Sequence, residues 1–179
     1  TPEMCVPEKP LRVPWESCLT LGADFNYAYG DHYKSPRELV NLLVNIVAKG
    51  GNLALNISPQ PDGRIPVEAW ESLRGLGVWM QMYGEAIYGT RICAPYRSGN
   101  LAFTRKGDTV YAIRLYPEEG EAVEEELLIP YQGKIRGISM VDTKKEADWK
   151  MTEEGIQVVI PQEYREGETP IAIVWKIEQ

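Results

Sequence analysis

Between residues 35 and 48, apolar side chains fall at Leu39, Leu42, Leu43, Ile46 and Val47, three or four positions apart. That spacing gathers them on one face of a helix. Ser35-Pro36-Arg37-Glu38 ahead of the stripe has the form of a capping box with proline at the first helical position. Lys49-Gly50-Gly51 behind it supplies a last-turn cation and a glycine stop. The pattern then switches. Leu53-Ala54-Leu55-Asn56-Ile57 is apolar on both faces and predicts a short buried strand, ended by Ser58-Pro59. An earlier strand is predicted over Trp15–Thr20, inside a stretch (1–34) otherwise rich in proline, glycine and aromatics. After the turn Gln60-Pro61-Asp62-Gly63, Pro66 opens a second helix, expected to bury Trp70, Leu73, Leu76, Gly77 and Met80 and to end near Gly84. A helix feeding straight into a two-sided apolar strand marks this half as α/β.

The pattern changes again near residue 90. From Leu101 onward the chain shows short alternating runs: Leu101–Thr104, Thr109–Tyr116, Glu126–Ile129, Ile135–Val141, Ile156–Ile160 and Ile171–Ile177. Turn signals at Lys106-Gly107-Asp108, Gln132-Gly133 and Glu154-Gly155 separate them. Regularly spaced strands without a helical pattern predict an antiparallel β-sandwich. The fold class expected is therefore α/β followed by all-β, with residues 1–92 as one domain and 93–179 as the other.

Composition narrows the chemistry. The hydrophobic fraction of 44% in 179 residues can fill a core. A formal net charge of −7 argues against nucleic acid as a partner, and no apolar run is long enough to span a membrane. Cys5, Cys18 and Cys93 lack metal-ligand spacing, and an odd count makes a poor disulfide framework. With His32 as the single histidine, neither a zinc centre nor a Ser-His-Asp triad is expected, and no cofactor is called for. Thr1-Pro2-Glu3 is not a natural start, so the chain is expected to be a piece of a longer protein, and the lack of a leader carries little weight.

Several segments in fixed order carry a resemblance to a known family. They are Thr1-Pro2-Glu3-Met4, Trp15-Glu16-Ser17-Cys18 and Ser35-Pro36-Arg37-Glu38-Leu39. The longest is Lys49-Gly50-Gly51-Asn52-Leu53-Ala54-Leu55-Asn56-Ile57-Ser58-Pro59, continuing through Asp62-Gly63-Arg64-Ile65-Pro66. Tyr83-Gly84-Glu85-Ala86-Ile87-Tyr88-Gly89-Thr90 completes the set. Together they resemble family 29 glycoside hydrolases, the α-L-fucosidases. One departure is Asn26, which stands where the family usually has glycine between two aromatics. The resemblance implies the C-terminal part of a (β/α)8 barrel joined to a β-sandwich. It also implies a fucosylated glycan as substrate, a secreted, periplasmic or lysosomal setting, and a nucleophilic aspartate on earlier barrel strands outside these residues. The remaining barrel, or self-association, would then cover the exposed parallel strands.

A retaining glycosidase needs two carboxyls flanking the scissile bond. The Thr-Pro-Glu segment aligns with the family's acid/base loop and nominates Glu3 as general acid/base; the plainer alternative is a solvated residue at a disordered terminus. Glu16 is the alternative acid/base, or a hydrogen-bonding support for the pocket beside Trp15. Phe25 matches the aromatic that in relatives contacts the C6 methyl of fucose, and ordinary packing is its alternative. By the same resemblance Trp15 is a substrate-side candidate. Asn56 ends the buried strand where a barrel site would lie, or ties adjacent loops together. His32 reads as exposed, Trp70 and Trp79 as core, and the acidic run Glu118–Glu126 as a solvated loop.

Overall fold

The computed structural model describes residues 1–179 and divides into two compact units, Thr1–Gln81 and Met82–Gln179. In the first, strands β1 (Glu16–Thr20) and β2 (Asn52–Asn56) run parallel, in register from Glu16 opposite Asn52 to Thr20 opposite Asn56. Parallel neighbours need a crossover, and helix α1 (Pro36–Ala48) supplies it. Ser35 caps α1 through a full capping box: its hydroxyl accepts from Glu38 N, and its own N–H donates to the Glu38 carboxylate. That exchange satisfies two donors a helix start leaves unpaired. Helix α2 (Val67–Tyr83) follows β2.

Alternation along the strands decides the packing. Trp15, Leu19, Leu21, Leu53, Leu55 and Ile57 share apolar clusters with Leu39 and Ile46 of α1 and with Ala69, Leu73 and Leu76 of α2. The intervening Cys18, Ala54 and Asn56 are half-buried on the other face. Gly51 marks a close approach, since a Cβ there would stand 2.4 Å from the Trp15 indole. On α2 the expected face is met in part. Leu73 and Leu76 pack as expected and Trp79 is buried, but Trp70 is 52% exposed, while Ala69, Ser72 and Tyr83, outside the expected stripe, are buried.

The second unit is built of antiparallel strands. They are β3 (Arg97–Ser98), β4 (Leu101–Lys106), β5 (Thr109–Leu115), β6 (Glu126–Ile129), β7 (Gly137–Met140), β8 (Trp149–Met151), β9 (Ile156–Val159) and β10 (Ala172–Glu178). One sheet has the order β3-β4-β5-β10-β7, the other β6-β9-β8. Phe103, Ala112, Ile138, Met140, Trp175 and Ile177 of the first share one core with Ile129, Ile156 and Val158 of the second. A short helix, α3 (Gln162–Arg165), interrupts a region expected to hold no helix. Gly107, first of two loop residues between β4 and β5, has a φ of +59° and makes the hairpin.

Residues 82–92 belong with these sheets. Ala102, Thr104, Tyr111, Ile113, Leu115 and Val174 point away from the shared core, yet all are buried. The stretch after α2 reaches that face: Thr104 Oγ1 donates to Ala86 O at 2.7 Å, and Arg91 and Arg105 bridge through their backbones. The structural division thus falls at 81/82, and residues 82–92 count with the β unit. The acidic loop after β5 is also less solvated than its composition suggests. Glu124 and Glu121 pair with Arg114 at 2.7 and 3.1 Å, and the guanidinium lies 4.4 Å above the Tyr116 ring.

Candidate functional site

The carboxyl ends of β1 and β2 lie side by side, at Thr20 and Asn56. In parallel α/β sheets, the loops leaving that edge are where ligands bind. The loop from β1 is closed at its neck by Asp31, whose carboxylate accepts from Ala23 N at 3.2 Å and from His32 N at 2.8 Å. A Cβ on Gly22 would stand 2.1 Å from Asp31 Oδ2, so glycine is needed where the two ends of the loop meet. Farther along, the loop meets the chain leaving β2. Ser58, 8% exposed, donates its hydroxyl to Phe25 O at 2.7 Å. Asn56 Oδ1 lies 3.1 Å from Ser58 Oγ. Phe25 is half-buried.

Glu3 is not at a loose end. It sits in a turn whose next residue, Met4, donates its N–H to Cys18 O at 3.0 Å and has a φ of +55°. Thr1 Oγ1 donates to Glu16 O, and Ser17 Oγ to Cys5 O, each at 2.7 Å. Lys34 Nζ donates to Thr20 O, also at 2.7 Å. The carbonyls of Glu16, Cys18 and Thr20 along one edge of β1 are therefore each met by a donor from outside the sheet, which blunts that edge. Met4 Sδ lies 3.6 Å from Thr20 Oγ1, so the turn carrying Glu3 reaches the carboxyl end of β1. The Glu3 side chain itself is exposed.

Glu16 and Trp15 sit at the other end. Glu16 is the first residue of β1 and is exposed, four residues from Thr20, or roughly 13 Å along an extended strand. Trp15 is 6% exposed, with its ring against Gly51 and in the cluster of Leu19 and Ile46. Of the residues nominated from sequence, Phe25 and Asn56 come together at the carboxyl edge with Glu3's turn nearby, while Glu16 and Trp15 are held at the amino edge. Ser58 was not nominated. Its hydroxyl bond spans 33 residues of sequence, and no local pattern announces it. His32 is exposed and lines a shallow cleft of about 340 Å³ with Asp31, Tyr33, Glu68 and Glu71, none of them among the nominated carboxyls or aromatics.

Parallel strands joined through a helix, with loops at their carboxyl edge, define a βαβ unit of the α/β class, and comparison with known proteins gives the family. The alpha-L-fucosidase family profile matches residues 1–85. An alpha-L-fucosidase of Branchiostoma floridae is 34% identical over 160 residues, covering 82% of this chain and 34% of the relative. The plasma alpha-L-fucosidase of Rattus norvegicus is 46% identical over 96 residues, covering 50% of this chain and 20% of the relative. Among solved structures, alpha-L-fucosidase isoenzyme 1 from Paenibacillus thiaminolyticus superposes with a TM-score of 0.86 at 25% identity, covering 99% of this chain and 44% of that one. The Thermotoga maritima alpha-fucosidase in complex with a mechanism-based inhibitor gives 0.82 at 29% identity, over 94% of this chain and 40% of that one. The chain belongs to the alpha-L-fucosidase family and corresponds to its C-terminal region. It spans about a third of the length of the Branchiostoma relative and 44% of the Paenibacillus structure.

Proposed function

We propose that this chain serves a retaining α-L-fucosidase that releases terminal α-L-fucose from glycans, as the last βα units of a (β/α)8 barrel followed by a β-sandwich. The observation that carries the proposal is the superposition of 99% of the chain on a fucosidase at a TM-score of 0.86. In this reading Glu3 is the general acid/base and Phe25 the apolar wall for the C6 methyl, whose burial is worth roughly 1 kcal/mol. Glu16 is the alternative acid/base, disfavoured by its place at the amino end of β1. Trp15 contributes by packing beneath the strand. The nucleophile comes from a barrel segment outside these 179 residues, and the parallel pair, through the outer edge of β2 and its exposed face, takes the remaining barrel, or a second copy, as partner. A purely structural or carbohydrate-binding β module leaves the α/β half unexplained.

The homogeneous 20.2 kDa chain should not hydrolyse an aryl α-L-fucoside above background, because a glycosyl-enzyme intermediate needs the second carboxyl. Joined to the rest of the barrel, Glu3→Ala should slow substrates with poor leaving groups far more than good ones, since an acid helps in proportion to the proton demand. Azide should rescue it by replacing the activated water. If Glu16→Ala shows that pattern and Glu3→Ala does not, the acid/base assignment moves to Glu16. Turnover by the isolated chain that a mutation within it abolishes would overturn the placing of the nucleophile.

A further inference from the structure

We propose that Ser58 is a positioning residue for substrate recognition: its buried hydroxyl clasps the backbone at Phe25 and sets where that ring stands against the sugar. The assignment rests on the reading of Phe25 as the C6-methyl contact. Three observations carry it. Ser58 is 8% exposed, and its Oγ lies 2.7 Å from Phe25 O, 3.5 Å from Asp24 O and 3.1 Å from Asn56 Oδ1. A hydroxyl has one hydrogen to give, and the shortest contact, to Phe25 O, takes it. The Asn56 carboxamide completes the arrangement when turned to donate its Nδ2 hydrogen to Ser58 Oγ, making a relay from the end of β2 through Ser58 to the loop.

The second observation is where the clasp falls. Asp31 closes the neck of the loop at Ala23 and His32, and Asp24 Oδ1 accepts from Phe25 N at 2.6 Å within the loop. Those bonds shape the loop without fixing it to the sheet. Ser58 supplies the tie to the strand end at the residue whose ring faces the ligand. The third observation is the sequence around the clasp. Ser58 precedes Pro59, and a residue before proline is confined to extended backbone. Its Cβ direction is therefore largely set before the loop arrives, so little backbone entropy is lost in making the contact.

Two measurements on the intact chain test this. Hydrogen exchange of the 22–30 segment should speed up about tenfold in Ser58→Ala, where the half-buried Phe25 carbonyl loses its donor, and return to the wild-type rate in Ser58→Thr, which restores the hydroxyl. Saturation-transfer NMR with L-fucose and L-galactose, which differ only in methyl against hydroxymethyl at C6, reads the ligand side. The fucose methyl should be the most strongly saturated group in wild type and Ser58→Thr, and fucose binding should fall about fourfold in Ser58→Ala and in Phe25→Ala. Unchanged exchange in Ser58→Ala would overturn the clasp itself. A loosened loop with an undiminished methyl signal would overturn its role in recognition. A wild type with normal exchange but no methyl saturation would defeat the reading of Phe25 as a sugar contact, and with it the function assigned to the clasp.

Discussion

Glu85→Ala is expected to destabilise the β unit by about 1.5–3.5 kcal/mol, mostly through one stranded hydroxyl. The Glu85 carboxylate accepts from Lys144 Nζ at 2.5 Å and from Tyr111 OH at 3.2 Å, with Lys176 Nζ at 4.0 Å. These contacts differ in worth. Lys144 is 65% exposed at its side chain, so that pair contributes at most about 1 kcal/mol. Tyr111 is 3% exposed, and a buried hydroxyl that loses a charged acceptor costs about 1–3 kcal/mol. Lys176 keeps Glu178 at 3.6 Å and adds little.

A double-mutant cycle separates the parts: in a Tyr111→Phe background no hydroxyl is left to strand, so Glu85→Ala should cost under about 1 kcal/mol. Native-state hydrogen exchange of the β10 amides reads the unit's stability in all four proteins. A cost for Glu85→Ala below about 0.5 kcal/mol, or an equal cost in both backgrounds, would refute the reasoning. Acid gives a second handle on the same carboxylate. The hydrogen bond from Lys144 holds Glu85 below the usual carboxylate range. A depressed folded-state pKa means stability that is present above the unfolded value near 4.5 and lost as pH falls through the folded one. The acid destabilisation should therefore be smaller in Glu85→Gln than in wild type.

The β unit should also weaken in alkali. Burial, then nearby carboxylates, raises the phenol of Tyr111 to about 12 and pushes up those of Tyr83, Tyr116 and Tyr164, so their stabilisation is intact below the ordinary value of 10.0 and is lost as pH rises beyond it; urea melts across pH 9–12 should show the fall, reduced in Tyr111→Phe. Gly155→Ala should cost more than about 2 kcal/mol in the same melts, because its φ of +145° suits only glycine and a Cβ would stand 2.3 Å from Ile129 O; a stable Gly155→Ala chain would mean the turn can move away from β6.

What the sequence revealed follows from how local the determining interactions are. Helix α1 was legible almost to the residue, because Ser35, Pro36 and Glu38 cap it within four positions. The alternating strands β4, β5, β6, β9 and β10 were found for the same reason: period two is written in neighbours. Strands β3 and β8 span two and three residues, too short to show a period. Val40 and Val44 lie outside the Leu39–Val47 stripe yet are fully buried, and Trp70 lies inside the expected stripe of α2 yet is half-exposed. Which side of a helix is covered depends on partners far along the chain, and a moment drawn from spacing averages over them. The clasp between Ser58 and Phe25 is of that kind, as is the salt-bridged Arg114.

The family match and the structural division nearly coincide, at residue 85 and at 81/82, and the coincidence has a physical reading. In the first unit, close approaches and loop ties ask for particular residues at particular backbone positions. Gly22 must admit Asp31, Gly51 must admit the Trp15 ring, and Ser58 must present a hydroxyl before a proline. Such demands admit few substitutions and leave a readable motif. In the second unit the core asks mainly for apolar residues at alternate positions, and Ile, Val, Leu, Phe and Met exchange there at modest cost when volume is kept. A sheet pair can thus hold its architecture while its sequence drifts. Superposition still covers 99% of the chain where identity is 25%. Exceptions in the second unit include residues with polar work to do, Glu85 with Tyr111 and Asp142 with Tyr83 and Tyr164. Apolar substitution of Glu85 or Asp142 strands a buried tyrosine hydroxyl, so at these positions, as at Gly155 and Arg114, the fold constrains residue identity and not merely its hydropathy.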